Sequence, residues 1–560
     1  MSMVWWLVLI GLGLIGTTIR WRDQALGLAF GKPGRHRVRV TRAVEIAMRD
    51  GVILRADRYV PIAAGRFPTL IHRTPYARFR VGQPALGLVA ELNGRWLASH
   101  GYHVIIQATR GRLDSDGDFV PLARERDDGQ DTLSWVAEQP WCDGRIGMFG
   151  GSYMGYTQWA AAAGAPGVLK AIVPHITSTH GRDWVYPGGA FAFDARLRWA
   201  GTIHMLDHGQ ALRDAERERR YAAAFRHLPV IEADAIAFGR PTPFYRDWLS
   251  HPPDSPFWQA HDQSNALAAA PPAHLIGGWY DYMLHGQLQD YAALRAAGQT
   301  PYLTIGPWTH GSIGSMATGM RESLTWLNAH LKDQRADLRT KPVHIFVMNA
   351  GWRDFDHWPP PAQTQRLYLC NNGVLGDLPA ETSTPDHFRY DPADPTPMIG
   401  GPLLSPPNGP QDQRPLEARR DILVYTSPPL TATMPVIGPV RLELFAHSSL
   451  AYTDFVGRLC VVKRNGSSIN LCDGLVRVSP GSCEELAGIW RIVIDMWATA
   501  YRFQAGEQIR LHLASGAHPR WSRNLGRGGP IGTETAMQSA EQTIYHDRAH
   551  PSALVLPCVS

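Results

Sequence analysis

One serine, Ser152, lies where an apolar segment gives way to a helix-forming one, and this junction constrains the fold more than any other feature of the chain. Residues 146–149 are apolar and β-like, and Gly150 and Gly155 lie on either side of the serine. A strand-to-helix turn this tight tolerates only small neighbours, and it holds the hydroxyl at the end of the sheet. The pattern departs from strict G-x-S-x-G, because Met154 stands where the second glycine is expected. The junction predicts a nucleophilic serine.

The segments around this serine alternate between short apolar runs and helical stretches. The apolar runs at 67–76, 102–111 and 144–152 resemble buried strands that end in loops, and residues 128–140 between them resemble a helix that ends at a proline. Such alternation favours an α/β fold with a mostly parallel sheet covered on both faces. The strand pattern stops near residue 180 and resumes at 273–281. The intervening residues are helical in period, which predicts a helical insertion.

The character of the chain changes after the proline cluster at 356–363, where short strands alternate with turns rich in proline, glycine and asparagine. This pattern is typical of an all-β sandwich or jelly roll. A chain of 560 residues has room for about three domains. We therefore predict a hydrophobic N-terminal segment with a basic linker (1–34), an α/β catalytic domain (35–180 and 270–358), a helical cap (181–269) and a C-terminal β-sandwich (359–560).

Two later residues complete a catalytic constellation with Ser152. Asp281 follows one apolar strand and His310 follows the next, so the chain order is serine, aspartate, histidine. This order is the one in which a nucleophile-elbow hydrolase presents its triad, with the histidine as base and the aspartate fixing its tautomer. Ser115 lies in an acidic turn that we expect to be exposed, and it is not the predicted nucleophile.

These motifs together resemble the cocaine esterase/X-Pro dipeptidyl-peptidase (CocE/NonD) family of α/β-hydrolases. The matching segments extend over roughly residues 38 to 530, and the pairing of the R-T-P-Y turn (73–76) with G-G-S-Y-x-G is the most specific of them. G-x-S-Y-x-G is the form of the elbow in this family, so the departure at Met154 disappears. Leu113 departs from the family pattern in a nearby loop, where we expect no effect on the chemistry.

The resemblance implies an α/β-hydrolase fold with a helical cap inserted after the elbow and a C-terminal jelly-roll (galactose-binding-like) domain. It implies Ser152 as nucleophile, Asp281 as orienting acid and His310 as base. It also implies that the hydroxyl of Tyr76 and the backbone N–H of Tyr153 donate to the oxyanion. Such an enzyme needs no cofactor, and the sequence contains no metal-binding motif of the H-E-x-x-H kind.

The sequence constrains the identity of the substrate less than it constrains the catalytic residues. An apolar stretch that begins at Tyr282 follows Asp281 directly, which favours ester or amide hydrolysis of a neutral or aromatic acyl substrate. Candidate pocket residues are Tyr282, Trp184 and Trp308, and the cap aromatics Tyr186, Phe191, Phe193 and Trp199 fit either a pocket wall or a helical core.

Two alternatives stay open. One is an X-Pro dipeptidyl-peptidase or α-amino acid ester hydrolase/acylase, in which cap carboxylates bind an amine; the candidates are Asp194, Asp207, Asp214 and Glu216. The other is an inactive scaffold that binds a carbohydrate or protein partner through its jelly roll.

Charge and composition limit the partners and the location. The net charge is only +5 and no basic run is present, so nucleic acid is not an expected partner. Six scattered cysteines favour free thiols over a disulfide framework. The uncharged run at 3–19, followed by basic residues, predicts a membrane anchor with a cytoplasmic catalytic body. An exported or soluble cytoplasmic protein is the alternative, and the oligomeric state is not indicated.

Overall fold

The structure, a computed structural model, describes residues 32–78, 85–164, 167–208 and 214–559. The predicted membrane anchor at 3–19 lies outside the described residues and stays a prediction. None of the helices in the described ranges has the length and the apolar character that a transbilayer helix requires.

Within those ranges, the first ten strands form one sheet in the spatial order β1-β2-β4-β3-β5-β6-β7-β8-β9-β10. Their bounds are β1 (Val38–Ala47), β2 (Ile53–Pro61), β3 (Phe67–Thr74), β4 (His103–Ala108), β5 (Cys142–Gly151), β6 (Leu169–His175), β7 (His274–Tyr280), β8 (Tyr302–Thr309), β9 (Val343–Val347) and β10 (Gly351–Phe355).

The central strands of this sheet, from β4 through β3 to β9, run parallel, and β1, β2 and β10 pair antiparallel at the two edges. All residues of β4 and of β7 are buried, which explains why their sequences are near-continuous apolar runs. The predicted α/β architecture is confirmed. Because the strands are parallel, their carboxyl ends meet at one edge, where the candidate site lies.

Eleven α-helices belong to the described residues. Their bounds are α1 (Ala85–Ser99), α2 (Glu125–Ala137), α3 (Tyr153–Ala162), α4 (Gly181–Val185), α5 (Phe193–His208), α6 (Asp214–Arg226), α7 (Ala233–Phe238), α8 (Pro243–Ser250), α9 (Leu284–Ala296), α10 (Ile313–Leu331) and α11 (Arg414–Glu417). Helices α4 to α8 all lie between β6 and β7, as a helical insertion requires. They share a core rich in aromatic side chains, and we refer to them as the cap.

The C-terminal region contains the remaining strands of the described chain, one α-helix (α11) and a short 3₁₀ helix (Asn371–Gly373). The strands are β11 (Gln363–Cys370), β12 (Val374–Gly376), β13 (Asp386–Tyr390), β14 (Ile422–Thr426), β15 (Met434–Ser448), β16 (Thr453–Val462), β17 (Ser468–Val478), β18 (Glu484–Leu486), β19 (Ile489–Phe503), β20 (Gln508–Ala514), β21 (Ala540–Tyr545) and β22 (Ala553–Cys558). They form one hydrogen-bonded network in the order β13-β21-β15-β22-β11-β12-β14-β20-β16-β17, with β19 paired to β15 and β18. The expected β-rich C-terminal region is confirmed.

The C-terminal region packs against the cap and extends to the catalytic edge of the first sheet. The ring of His518 donates a hydrogen bond of 2.9 Å to the carbonyl of Phe225 in α6. The backbone N–H of Leu404 donates at 3.0 Å to the buried carboxylate of Asp194 in α5. Both contacts join segments that are far apart in sequence, and the second brings the loop at 404–406 to the candidate site. The six cysteines all lie in the described ranges and are free thiols.

Candidate active site

Ser152 lies between β5 and α3 in a backbone conformation that few non-glycine residues adopt. Its φ is +58° and its ψ is −124°, and its N–H donates at 2.8 Å to the carbonyl of His175 in β6. Small residues on both sides make this turn possible. A Cβ atom on Gly150 would lie 2.7 Å from the Cβ of Met154, and one on Gly155 would lie 2.4 Å from the side chain of Thr177. The strain holds the hydroxyl at the edge of the sheet.

The structure brings Asp281, His310 and Ser152 into one hydrogen-bonded chain. Nε2 of His310 lies 3.1 Å from Oγ of Ser152, and Nδ1 lies 2.8 Å from Oδ2 of Asp281. The other oxygen of Asp281 accepts a hydrogen bond of 2.8 Å from the N–H of Met283, so the buried carboxylate has a fixed orientation. Asp281 therefore holds the Nδ1 proton of the imidazole and leaves Nε2 to accept the serine proton.

Both predicted oxyanion donors lie beside Ser152. Tyr153 is the first residue of α3, so its N–H has no acceptor within the helix and is free to donate to a bound anion. The Tyr76 hydroxyl accepts a hydrogen bond of 2.9 Å from the indole N–H of Trp199. Removal from water raises the pKa of Tyr76, while hydrogen bonds with Trp199 and Ser152 oppose the rise. The phenol is therefore neutral and able to donate at physiological pH.

A cavity of about 1030 Å³ opens onto Ser152 and His310. Its walls come from the carboxyl end of the sheet, from α1 and α10, from the cap and from the loop at 404–406 of the C-terminal region. The lining is mostly apolar, as a pocket for a hydrophobic acyl group requires. Its large apolar side chains include Met154, Trp199, Met205, Phe238, Leu404 and Met316. Trp199 is one of the cap aromatics for which the sequence left a pocket wall and a helical core open, whereas no sequence pattern indicates that residues after 400 reach the site.

Besides His310, three histidines line this cavity: His72 of β3, His175 of β6 and His204 of α5. Burial lowers the pKa of His72 and of His175 to about 4, so the rings of these two are neutral near pH 7. The ring of His72 lies 3.2 Å from the carbonyl of Phe149, and the ring of His175 lies 2.8 Å from the hydroxyl of Ser315. Neither ring shares the hydrogen bond to Ser152 that His310 makes.

The three predicted pocket residues do not line the cavity. Trp184 belongs to the core of the cap, where its indole N–H donates at 2.8 Å to Ser178. Trp308 packs against the ring of Trp352 in β10, with ring centroids 5.8 Å apart. Tyr282 packs against His310, with ring centroids 4.6 Å apart. In this structure these three aromatic side chains pack beside the triad or fill the core, and their role in a substrate pocket stays a prediction.

The acidic side chains predicted as amine ligands are bound to arginines. Asp194 is buried and pairs with Arg198 at 2.7 Å, and Asp207 pairs with Arg112. The pairs Asp214–Arg217 and Glu216–Arg220 lie within α6, at 2.8 and 2.9 Å. Of these four carboxylates, only Asp214 lines the cavity.

Ser115, expected in an exposed turn, is buried instead. Its hydroxyl donates at 3.0 Å to the carbonyl of Ala108 and accepts from the N–H of Arg55 at 2.9 Å. Its position in that turn is structural, because the hydroxyl satisfies two backbone groups of neighbouring strands, and it does not line the cavity.

Matches to known proteins extend over nearly the whole chain. Residues 50–312 match the model of the X-Pro dipeptidyl-peptidase (S15) family, and residues 336–555 match that of the X-Pro dipeptidyl-peptidase C-terminal non-catalytic domain. The chain is 35% identical to a cocaine esterase from Rhodococcus sp., over 92% of this chain and 98% of that protein. It is 24% identical to a putative serine esterase from Mycobacterium bovis, over 92% and 94%.

Among solved structures, an aminopeptidase from a marine sediment Thaumarchaeota archaeon superposes with a TM-score of 0.79 at 23% identity. An α-amino acid ester hydrolase superposes with a TM-score of 0.77, also at 23% identity. Each of these two comparisons covers 94% of this chain and 97% of the other. At this level of identity the two structures support the fold.

Proposed function

This chain belongs to the family of serine hydrolases that includes cocaine esterase, and from that premise we propose that Ser152 is its nucleophile and that its substrates are esters of neutral, apolar acids. The hydrogen-bonded chain from Ser152 through His310 to Asp281 supports their roles as nucleophile, base and orienting acid. The apolar cavity beside Ser152 supports the proposed substrate class.

The reaction follows from this geometry in two steps. In the first, Nε2 of His310 takes the proton of Ser152 as its oxygen attacks the ester carbonyl carbon, and the carbonyl oxygen becomes an oxyanion. The Tyr76 hydroxyl and the N–H of Tyr153 donate to that oxyanion, and each such donor contributes about 2.7–4 kcal/mol in comparable sites. His310 then gives its proton to the departing alcohol and leaves an acyl group on Ser152. In the second step a water molecule releases the acid, with His310 again as base.

The charges around the cavity favour a neutral substrate over an amine. Among the described residues, the carboxylates that line the cavity are Asp214 and Glu218. Both oxygens of Glu218 accept hydrogen bonds from Arg198, at 2.9 and 2.8 Å, and Asp214 pairs with Arg217. A substrate ammonium would have to compete with a guanidinium for either carboxylate. An uncharged acyl group meets no such competition and gains from burial of its apolar surface.

Active-site labelling tests the nucleophile. Wild-type protein should react with a fluorophosphonate probe, and the Ser152→Ala variant should not. Ser115→Ala is the matched control, because Ser115 is hydrogen bonded to the backbone away from the cavity, and it should label like the wild type. A folded wild-type protein that never labels would overturn the assignment and favour a binding scaffold.

A substrate panel tests the acyl preference. Acetyl and benzoyl p-nitrophenyl esters should give a kcat/KM at least about tenfold higher than an alanyl p-nitrophenyl ester or glycyl-prolyl p-nitroanilide. The reverse order would replace this proposal with an α-amino acid ester hydrolase or an X-Pro dipeptidyl-peptidase.

A further inference from the structure

Trp199 of α5 contacts the side chains of both residues that supply the candidate oxyanion donors, although it belongs to the cap and lies 47 residues after Ser152 in the chain. Its indole N–H donates at 2.9 Å to the Tyr76 hydroxyl, and its ring lies parallel to that of Tyr153, with centroids 6.1 Å apart and an interplanar angle of 5°. We propose that Trp199 is a positioning residue that directs the Tyr76 proton toward the oxyanion and links the cap to the oxyanion hole. This inference rests on the proposed function.

The direction of the Tyr76 proton follows from the donors involved. An indole N–H can only donate, so the Tyr76 oxygen must accept in this contact. The single phenol proton is then not engaged by Trp199 and is available on the side of the cavity, whose wall Tyr76 shares with Ser152. Without the indole N–H, the hydroxyl would be free to rotate and to donate elsewhere. Trp199 therefore selects the one orientation in which Tyr76 can donate to the carbonyl oxygen of a bound ester.

The indole itself is held by the cap. Its ring packs against Phe244 and Trp248 of α8, with centroids 5.3 and 5.7 Å away, and against Phe119 at 6.5 Å. Trp199 is only 8% exposed. An indole packed in this way has few accessible rotamers, so the position of its N–H is fixed before substrate binds.

Trp199 also lines the cavity, so its removal could impair the enzyme simply by changing the pocket wall. The two roles predict different results. A wall residue contributes to substrate binding whether or not the Tyr76 hydroxyl is present. A residue that acts through Tyr76 contributes nothing further once that hydroxyl is gone.

A double-mutant cycle between Trp199→Phe and Tyr76→Phe therefore tests the inference. Trp199→Phe keeps an aromatic ring and deletes the N–H donor. In the wild-type background we expect kcat for a neutral p-nitrophenyl ester to fall about tenfold, the equivalent of one hydrogen bond, with KM changed less than about twofold. In the Tyr76→Phe background the same change should cost less than about twofold. An equal loss in both backgrounds, or a loss confined to KM, would overturn the inference.

Trp258→Phe is the matched control, because Trp258 belongs to the same aromatic core of the cap, its indole N–H donates at 2.9 Å to the carbonyl of Pro252, and it does not line the cavity. It should leave kcat within about twofold of the wild type, and a tenfold loss there would overturn the specific role of Trp199. Circular dichroism and thermal melting of each variant verify the fold. Failure of the proposed function has a separate signature, because wild-type protein would then neither label nor hydrolyse the ester.

Discussion

The hydroxyl of Tyr153 donates a hydrogen bond of 2.7 Å to Oε1 of Glu125, a buried carboxylate at the start of α2. The second oxygen of Glu125 pairs with Arg73 at 2.8 Å, and the Tyr153 hydroxyl also accepts from the N–H of Leu122 at 3.0 Å. Burial raises the pKa of Glu125, while Arg73 and Tyr153 oppose the rise. The side chain of Tyr153 is thus anchored by buried hydrogen bonds, while its backbone N–H lies at the start of α3, where it has no acceptor within the helix.

This anchor predicts a stability cost for Tyr153→Phe. The substitution deletes the hydroxyl and leaves the Leu122 N–H and one Glu125 oxygen without that partner, which should lower the free energy of unfolding by about 1–3 kcal/mol. Because the backbone N–H of Tyr153 remains, esterase activity should fall less than it does for Tyr76→Phe. Urea denaturation measures the first effect, with Tyr368→Phe at a half-exposed position of β11 as control. Equal midpoints for wild type and Tyr153→Phe would contradict the anchoring role.

The phenol of Tyr76 predicts a loss in the chemical step. Removing one oxyanion donor lowers kcat by about 10²–10³-fold in comparable enzymes, and the donor acts on charge that develops only in the transition state. We therefore expect Tyr76→Phe to lower kcat to that extent with little change in KM. Steady-state kinetics on a neutral ester measure both parameters. A variant that keeps its kcat and loses only affinity would place Tyr76 in substrate binding instead.

The ion pair between Glu218 and Arg198 predicts that Glu218 does not recognise a substrate amine. Because Arg198 already occupies both carboxylate oxygens, Glu218→Gln should change KM for an alanyl p-nitrophenyl ester by less than about twofold. Asp214→Asn, at the other carboxylate of the cavity lining, should behave in the same way. A rise in KM of tenfold or more for the amine-bearing ester alone would identify a true ammonium site.

Because His175 is buried and neutral, we expect the free energy of unfolding to fall as the solution is acidified. Burial lowers the pKa of His175 to about 4 in the folded state, whereas an unfolded histidine titrates near pH 6.5. Between these pH values the unfolded state binds more protons than the folded state. The contribution of His175 to the free energy of unfolding is therefore fully present above pH 6.5 and is lost as the pH falls toward 4.

For His175 this loss should reach about 1–2 kcal/mol at pH 5, relative to pH 7. Denaturation of the wild type and of His175→Gln at both pH values measures the difference, and glutamine can still contact the Ser315 hydroxyl. The variant should lose less stability on acidification. Identical pH dependence in the two proteins would contradict a neutral His175 in the folded state.

The three triad residues could be predicted from the sequence because each follows a recognisable strand. Parallel strands bring their carboxyl ends to one edge of a sheet, so Ser152, Asp281 and His310 were expected near one another, and their hydrogen-bond distances agree with that expectation. The residues that line the pocket could not be predicted in the same way. An aromatic residue such as Trp184 or Trp308 carries no local signal that separates a cavity wall from a core, and both turned out to fill the core.

The elbow around Ser152, the α/β order of the first domain and the change to β-structure after residue 363 can all be predicted from local sequence patterns. These features depend on local sterics and on hydrophobic periodicity, which act over a few residues. The hydrogen bonds from Trp199 to Tyr76, 123 positions away, and from Leu404 to Asp194, 210 positions away, depend instead on how distant segments pack. Such contacts arise where the cap and the C-terminal region pack onto the sheet, and no local pattern encodes which side chains meet there.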